Sequence, residues 1–140
     1  MKITGPIILI DDDQDDHDIF ESICVNLGVC DQLKHFNNGA DVLAYLNTTA
    51  ECPFVIICDI NMPNLDGIGI KEIIFHDPYL KSKSIPFVFF STSSSNEQIK
   101  KAYDLTVQGF FIKGNSFEET ERKFRRILEY WSDCKHPNSK

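Results

Sequence analysis

The sequence predicts a doubly wound α/β sandwich, and two observations carry that expectation. The runs PIILI (6–10), FVIIC (54–58), FVFF (87–90) and GFFI (109–112) are near-continuously apolar rather than alternating. Strands covered on both faces read this way, which favours a parallel sheet over an antiparallel one. Between the runs, apolar residues recur at helical spacing. The resulting order βαβαβαβαβα implies a sheet with helices on both faces and right-handed crossovers.

Each element has its own signal. QLKHF (32–36) is a weaker, more polar second strand suited to a sheet edge. Ile19, Phe20, Ile23, Cys24 and Leu27 mark the first helix, with Gly28 as its stop. Val42, Leu43 and Leu46 mark a short second helix. Ile70, Ile73 and Ile74 mark a third, ending near Asp77-Pro78 because the residue before proline avoids helical geometry. Ser95 with Gln98, and Ser116 with Glu119, fit the capping box and open the fourth and fifth helices. The last helix runs through Phe124, Ile127, Leu128 and Trp131, and the polar tail KHPNSK is expected to fray. The expected division is one domain over 1–133 and a tail over 134–140, without repeat or linker.

Composition narrows the function. The 140 residues allow one domain with a real core, and 42% hydrophobic and 25% charged residues are ordinary for a globular chain. A net charge of −7 argues against a nucleic-acid or membrane-surface binder, which would carry a basic stripe. No apolar run approaches the roughly 20 residues that span a bilayer. The N-terminus lacks the features of a signal peptide, so a cytoplasmic location is expected. Cys24, Cys30, Cys52, Cys58 and Cys134 form no CxxC pair. They read as small hydrophobes in a reducing compartment rather than as a metal or redox site.

The chemistry lies at the strand ends. In a doubly wound sheet, ligands bind outside the carboxyl ends of the strands, where the strand order reverses. Strand one runs into IILIDDDQDD, strand three into CDINMPNLDG, strand four into FFSTSSS and strand five into GFFIKGN. Parallel strands bring Asp11, Asp12, Asp59, Ser91 and Lys113 to one rim. Like-charged carboxylates ~4 Å apart repel by on the order of 4 kcal/mol per pair at an effective dielectric of about 20. Protonation relieves this, and so does a divalent cation. Oxygen donors without nearby His or Cys select Mg²⁺, which favours phosphate as co-ligand. A carboxylate in such a site can serve as nucleophile and form an aspartyl phosphate.

These motifs resemble the receiver domains of two-component response regulators, the CheY-like group, over nearly the whole chain. The spacings fit as well: 47, 32 and 22 residues separate Asp12, Asp59, Ser91 and Lys113 in turn. The resemblance implies a flavodoxin-like three-layer (βα)5 sandwich of strand order 2-1-3-4-5. It implies that Asp59 is the phosphoacceptor, that Asp12 binds Mg²⁺ directly, and that Asp11 acts through water. It makes the Asn61 backbone carbonyl a third protein ligand, Lys113 the phosphoryl-binding lysine and Ser91 the switch hydroxyl. Phe110 sits where the family has an aromatic that turns inward with the switch. Asn61 and Ser93 hold the positions that tune phosphoryl lifetime. The remaining acids, Asp13, Asp15, Asp16 and Asp18, read as helix-start surface favoured by the macrodipole.

One departure stands out. The family has proline after the lysine, with a cis bond; here Gly114 follows, and a non-proline cis bond costs about 2.5–4 kcal/mol. The implied partners are a sensor histidine kinase or His-containing phosphotransfer protein and a downstream protein. Nothing after Trp131 has the length of an output domain, so a stand-alone receiver without direct nucleic-acid contact is expected; self-association is left open. Two rival readings remain. One is a receiver-like interaction module that works without phosphorylation. The other is an Asp-nucleophile phosphatase, whose DxDx(T/V) signature Asp11-Asp12-Asp13-Gln14 meets only in part.

Overall fold

A computed structural model describes residues 1–92 and 95–138. Five parallel strands, β1 (Ile7–Ile10), β2 (Leu33–Phe36), β3 (Val55–Cys58), β4 (Phe87–Ser91) and β5 (Gly109–Ile112), form one sheet in the order β2-β1-β3-β4-β5. The helices are α1 (Gln14–Leu27), α2 (Gly39–Thr48), α3 (Gly67–His76), α4 (Pro78–Ser82), α5 (Asn96–Asp104) and α6 (Phe117–Asp133). A 3₁₀ turn at Cys30–Gln32 leads into β2. The fold class and strand order are those the sequence and its resemblance implied.

Alternation along the buried strands builds two cores. Ile8, Ile10, Ile56, Cys58, Phe87 and Phe89 face α2, α3 and α5, meeting Val42, Leu46, Ile70, Ile74 and Ala102. Ile7, Leu9, Val55, Ile57, Val88 and Phe90 face α1 and α6, meeting Phe20, Ile23, Phe124, Ile127 and Leu128. The central strands are buried throughout, whereas β2 and β5 are only partly buried, as edge strands must be.

Four expectations need correction. The third helix does end at His76, but Asp77 then caps a further short helix: its carboxylate accepts from the N–H groups of Tyr79 and Leu80, and Pro78 takes the first helical position. The tail does not fray as far as Asn138. His136 is buried, stacks on Phe54 at 4.7 Å and bonds through Nε2 to the Phe54 carbonyl, while Asn138 Nδ2 donates to the carbonyls of Cys52 and Pro53. The capping box is complete at Ser95–Gln98 but half-made at Ser116, because the Glu119 carboxylate turns to the Asn115 N–H and Lys123. All five cysteines are free thiols; Cys24 and Cys58 are buried, but Cys30 and Cys52 are exposed rather than packed.

Candidate functional site

The sheet ladder itself positions the rim. Asp11 N–H donates to Phe36 O, Asp59 N–H to Ile10 O and Lys113 N–H to Ser91 O, so the residue following β1, β3 and β5 is held as firmly as the strand before it. Asp59 is held further from below. Gly67, the first residue of α3, packs so close to the Asp59 carbonyl that a Cβ there would lie 2.2 Å from its oxygen.

Asp11, Asp12 and Asp59 each bring a carboxylate oxygen within 4.8 Å of one another. Asp11 is 1% exposed, Asp59 is buried and Asp12 is open to solvent. One Asp59 oxygen, Oδ1, accepts from the Ile60 N–H at 2.8 Å; the Asn61 N–H and the Ser91 hydroxyl also donate to this carboxylate. Lys113 Nζ donates to Asp11 Oδ2 at 2.8 Å and Asp16 Oδ2 at 2.7 Å and lies 3.7 Å from Asp59 Oδ2.

Burial dominates the proton affinities. It raises the Asp11 carboxyl from 3.8 to about 6, with the Asp59 charge adding and bonds from Lys113 and the Asp13 N–H opposing. Burial also raises Asp59, against the pull of Lys113, Ser91 and the Ile60 and Asn61 amides. Burial disfavours the Lys113 ammonium too, but its bonds to Asp11 and Asp16 outweigh that and hold it charged. Three clustered oxygen donors, one of them solvent-facing, fit a hard divalent cation in their donor chemistry.

Asp11, Asp12, Asp59, Ser91 and Lys113 therefore meet at one rim, with three refinements. Asp16 is not plain helix surface. It occupies the N3 position of α1, whose side chain leans back over the helix start, and it shares Lys113 with Asp11. His17, also unforeseen, is buried and bonds through Nε2 to the Asp11 carbonyl oxygen. Asp13 is the N-cap, accepting from the Asp15 N–H. The described chain contains no cis peptide, so Lys113-Gly114 is trans. Phe110 is half-buried and lies 5.7 Å from Phe89 on the α5 side of the sheet. Ser93, named for phosphoryl lifetime, lies outside the described residues.

A parallel sheet of this order carrying an acid–lysine–hydroxyl rim defines a class of signalling domain, and the family comparison agrees. The chain belongs to the response regulator receiver domain family, whose model matches residues 7–125. It is similar to the phosphorylated cyanobacterial phytochrome response regulator RcpA, with a TM-score of 0.85 and 28% identity over 96% of this chain and 99% of that one. Response regulator Rcp1 of Synechocystis sp. is 24% identical over 89% of this chain and 87% of its own length. The Mn²⁺-bound form of Rcp1 shares the fold at a TM-score of 0.78. The DNA-binding transcriptional regulator NtrC of Proteus hauseri is 27% identical over 96% of this chain, but the chain spans only 27% of NtrC. Among the described residues, no helix is long and apolar enough to cross a membrane.

Proposed function

We propose that this chain is a receiver in a two-component phosphorelay, accepting a phosphoryl group on Asp59 from a sensor histidine kinase or His-containing phosphotransfer protein and thereby changing its affinity for a downstream protein. The observation that carries this reading is the convergence of Lys113 and Ser91 on the Asp59 carboxylate beside Asp11 and Asp12.

Asp59 Oδ1 accepts from the Ile60 amide and Oδ2 faces Lys113, which makes Oδ2 the nucleophile in this reading. Oδ2 forms a bond to phosphorus as the bond from phosphorus to the donor imidazole nitrogen breaks; the imidazole leaves with the electron pair and is reprotonated. Asp11, Asp12, Asp59 and the Asn61 carbonyl would hold Mg²⁺, which would supply charge neutralisation on the phosphoryl oxygens. The Lys113 ammonium pairs with one phosphoryl oxygen in place of Asp16, and the Ser91 hydroxyl donates to another. Burial near the rim limits hydrolysis by keeping bulk water from the Asp59 side of the site.

Modification replaces the single Asp59 carboxylate charge with a phosphoryl group carrying up to two, a net gain of about one negative charge where carboxylates already crowd. Ser91 ends β4 and pairs in register with Ile112 of β5, while Phe110 of the same strand packs on Phe89. Movement of the hydroxyl biases two arrangements of β5 and its flanking helices α5 and α6, with Phe110 turning inward in one of them. The experiment is incubation with acetyl phosphate or beryllofluoride and Mg²⁺. The expected result is a covalent phosphate on Asp59 with acetyl phosphate and, with either reagent, an amide spectrum that shifts along β5 and α5, all lost in Asp59→Asn. Equal responses from wild type and variant would overturn the reading.

A further inference from the structure

At the opposite pole, a cavity of about 260 Å³ opens at the amino ends of β3 and β4, where Ile56 pairs with Phe87. Lys71 lines it. This lysine sits on the buried face of α3 between Ile70 and Ile74 and is 8% exposed. Its ammonium lies 5.4 Å from the Phe87 ring centroid, and among the described residues it has no ion pair or hydrogen bond. Burial, with the neighbouring Lys81 charge, lowers its proton affinity. The stem is buried while the ammonium reaches the cavity without an anion beside it, a partly desolvated cation that an apolar residue of similar size would avoid.

The surroundings make the imbalance larger. Lys81 and Lys83 of the α4 end line the same cavity, and no carboxylate does, in a chain whose net charge is −7. The Lys81 ammonium lies 4.3 Å from the ring of Phe75, which also lines the cavity, whereas the Lys83 ammonium lies 4.7 Å from the Tyr79 ring outside it. The floor is apolar, formed by Leu46, Ile56, Ile74 and Leu80. We propose that this cavity is a second ligand site, taking a small organic carboxylate whose anionic head pairs with Lys71 and whose short apolar body covers the floor. The volume suits a ligand of that size, and the apolar floor disfavours a polyanion, whose further charges would lose hydration there. Inorganic phosphate would leave the apolar floor uncovered.

The test titrates the full chain with sodium hexanoate and follows amide and lysine Nζ resonances, with 1-hexanol and inorganic phosphate as comparison probes. The expected result is saturable binding with Kd on the order of millimolar, shifts centred on Lys71, Ile74 and Phe87, and at least about tenfold weaker binding of hexanol and phosphate. Lys71→Met should weaken hexanoate about tenfold or more while its unfolding midpoint stays at or above wild type, so the loss is not one of folding. Lys81→Gln should weaken it less, and Asp59→Asn not at all. Absence of saturation, unchanged affinity in Lys71→Met, phosphate binding as well as hexanoate, or shifts confined to the Asp59 rim would each overturn the proposal.

Discussion

Lys113 Nζ lies 2.7 Å from Asp16 Oδ2 and 3.7 Å from Asp59 Oδ2, so the rim lysine is bonded to a helix residue rather than to the carboxylate it faces. Asp16 therefore competes for Lys113 with any anion placed on Asp59. Asp16→Asn should let beryllofluoride bind about three- to tenfold tighter, the exchange of one charge-assisted bond. The accompanying loss of stability should stay within about 1 kcal/mol, because Asp16 is a quarter exposed. Titrations that give equal or weaker affinity would show that Asp16 does not compete.

The Asp11 carboxyl, raised to about 6 by burial, gives metal binding a pH dependence. A cation needs the carboxylate, so affinity should fall as pH drops through about 6, approaching tenfold per unit below it. The sign for metal-free stability follows from the same shift. The raised folded value favours the protonated form, so this contribution is full below the unfolded value near 3.8 and lost as pH rises through about 6. Paramagnetic broadening by Mn²⁺ at about pH 5 and about pH 7.5 checks the first statement; a flat affinity would contradict it.

Gly67 separates α3 from the Asp59 backbone. An added Cβ would lie 2.2 Å from the Asp59 carbonyl oxygen and 2.9 Å from the Phe89 ring. Gly67→Ala should cost about 1–3 kcal/mol by urea unfolding. It should also slow modification of Asp59 by acetyl phosphate, because the nucleophile's backbone must shift. A variant as stable and as reactive as wild type would show that α3 gives way freely.

His136 clamps the tail. Its loss removes the stacked contact with Phe54 and leaves the Phe54 carbonyl without its Nε2 partner. His136→Ala should destabilise the chain by about 1–3 kcal/mol, and amide exchange should rise around Phe54. A change below about 0.5 kcal/mol would mean that the tail docks without stabilising.

The sequence signals that succeeded were local ones. Apolar runs and helical spacing reflect burial that each segment must satisfy by itself, so the five strands and the long helices were legible. The rim was legible for a related reason: a strand end is fixed by the run before it, and parallel pairing carries every such end to the same edge. Asp77-Pro78 signals a stop and also starts a helix, because a cap and a terminator share the same residue types.

The residues misread are those whose partners are distant. Asp16 meets Lys113 across 97 positions and His136 meets Phe54 across 82, and neither pairing leaves a mark in its own segment. Lys71 likewise carries no mark of burial in its own segment, and residues of α4 and β4 line the cavity it enters. Patterns of polarity thus specify strands, helices and the edge where acids gather, since these follow from backbone geometry and water avoidance. Which acid holds Lys113, where the tail docks and which lysine is buried depend on contacts between segments far apart in the chain. Those contacts exist only once the sheet has brought their elements together.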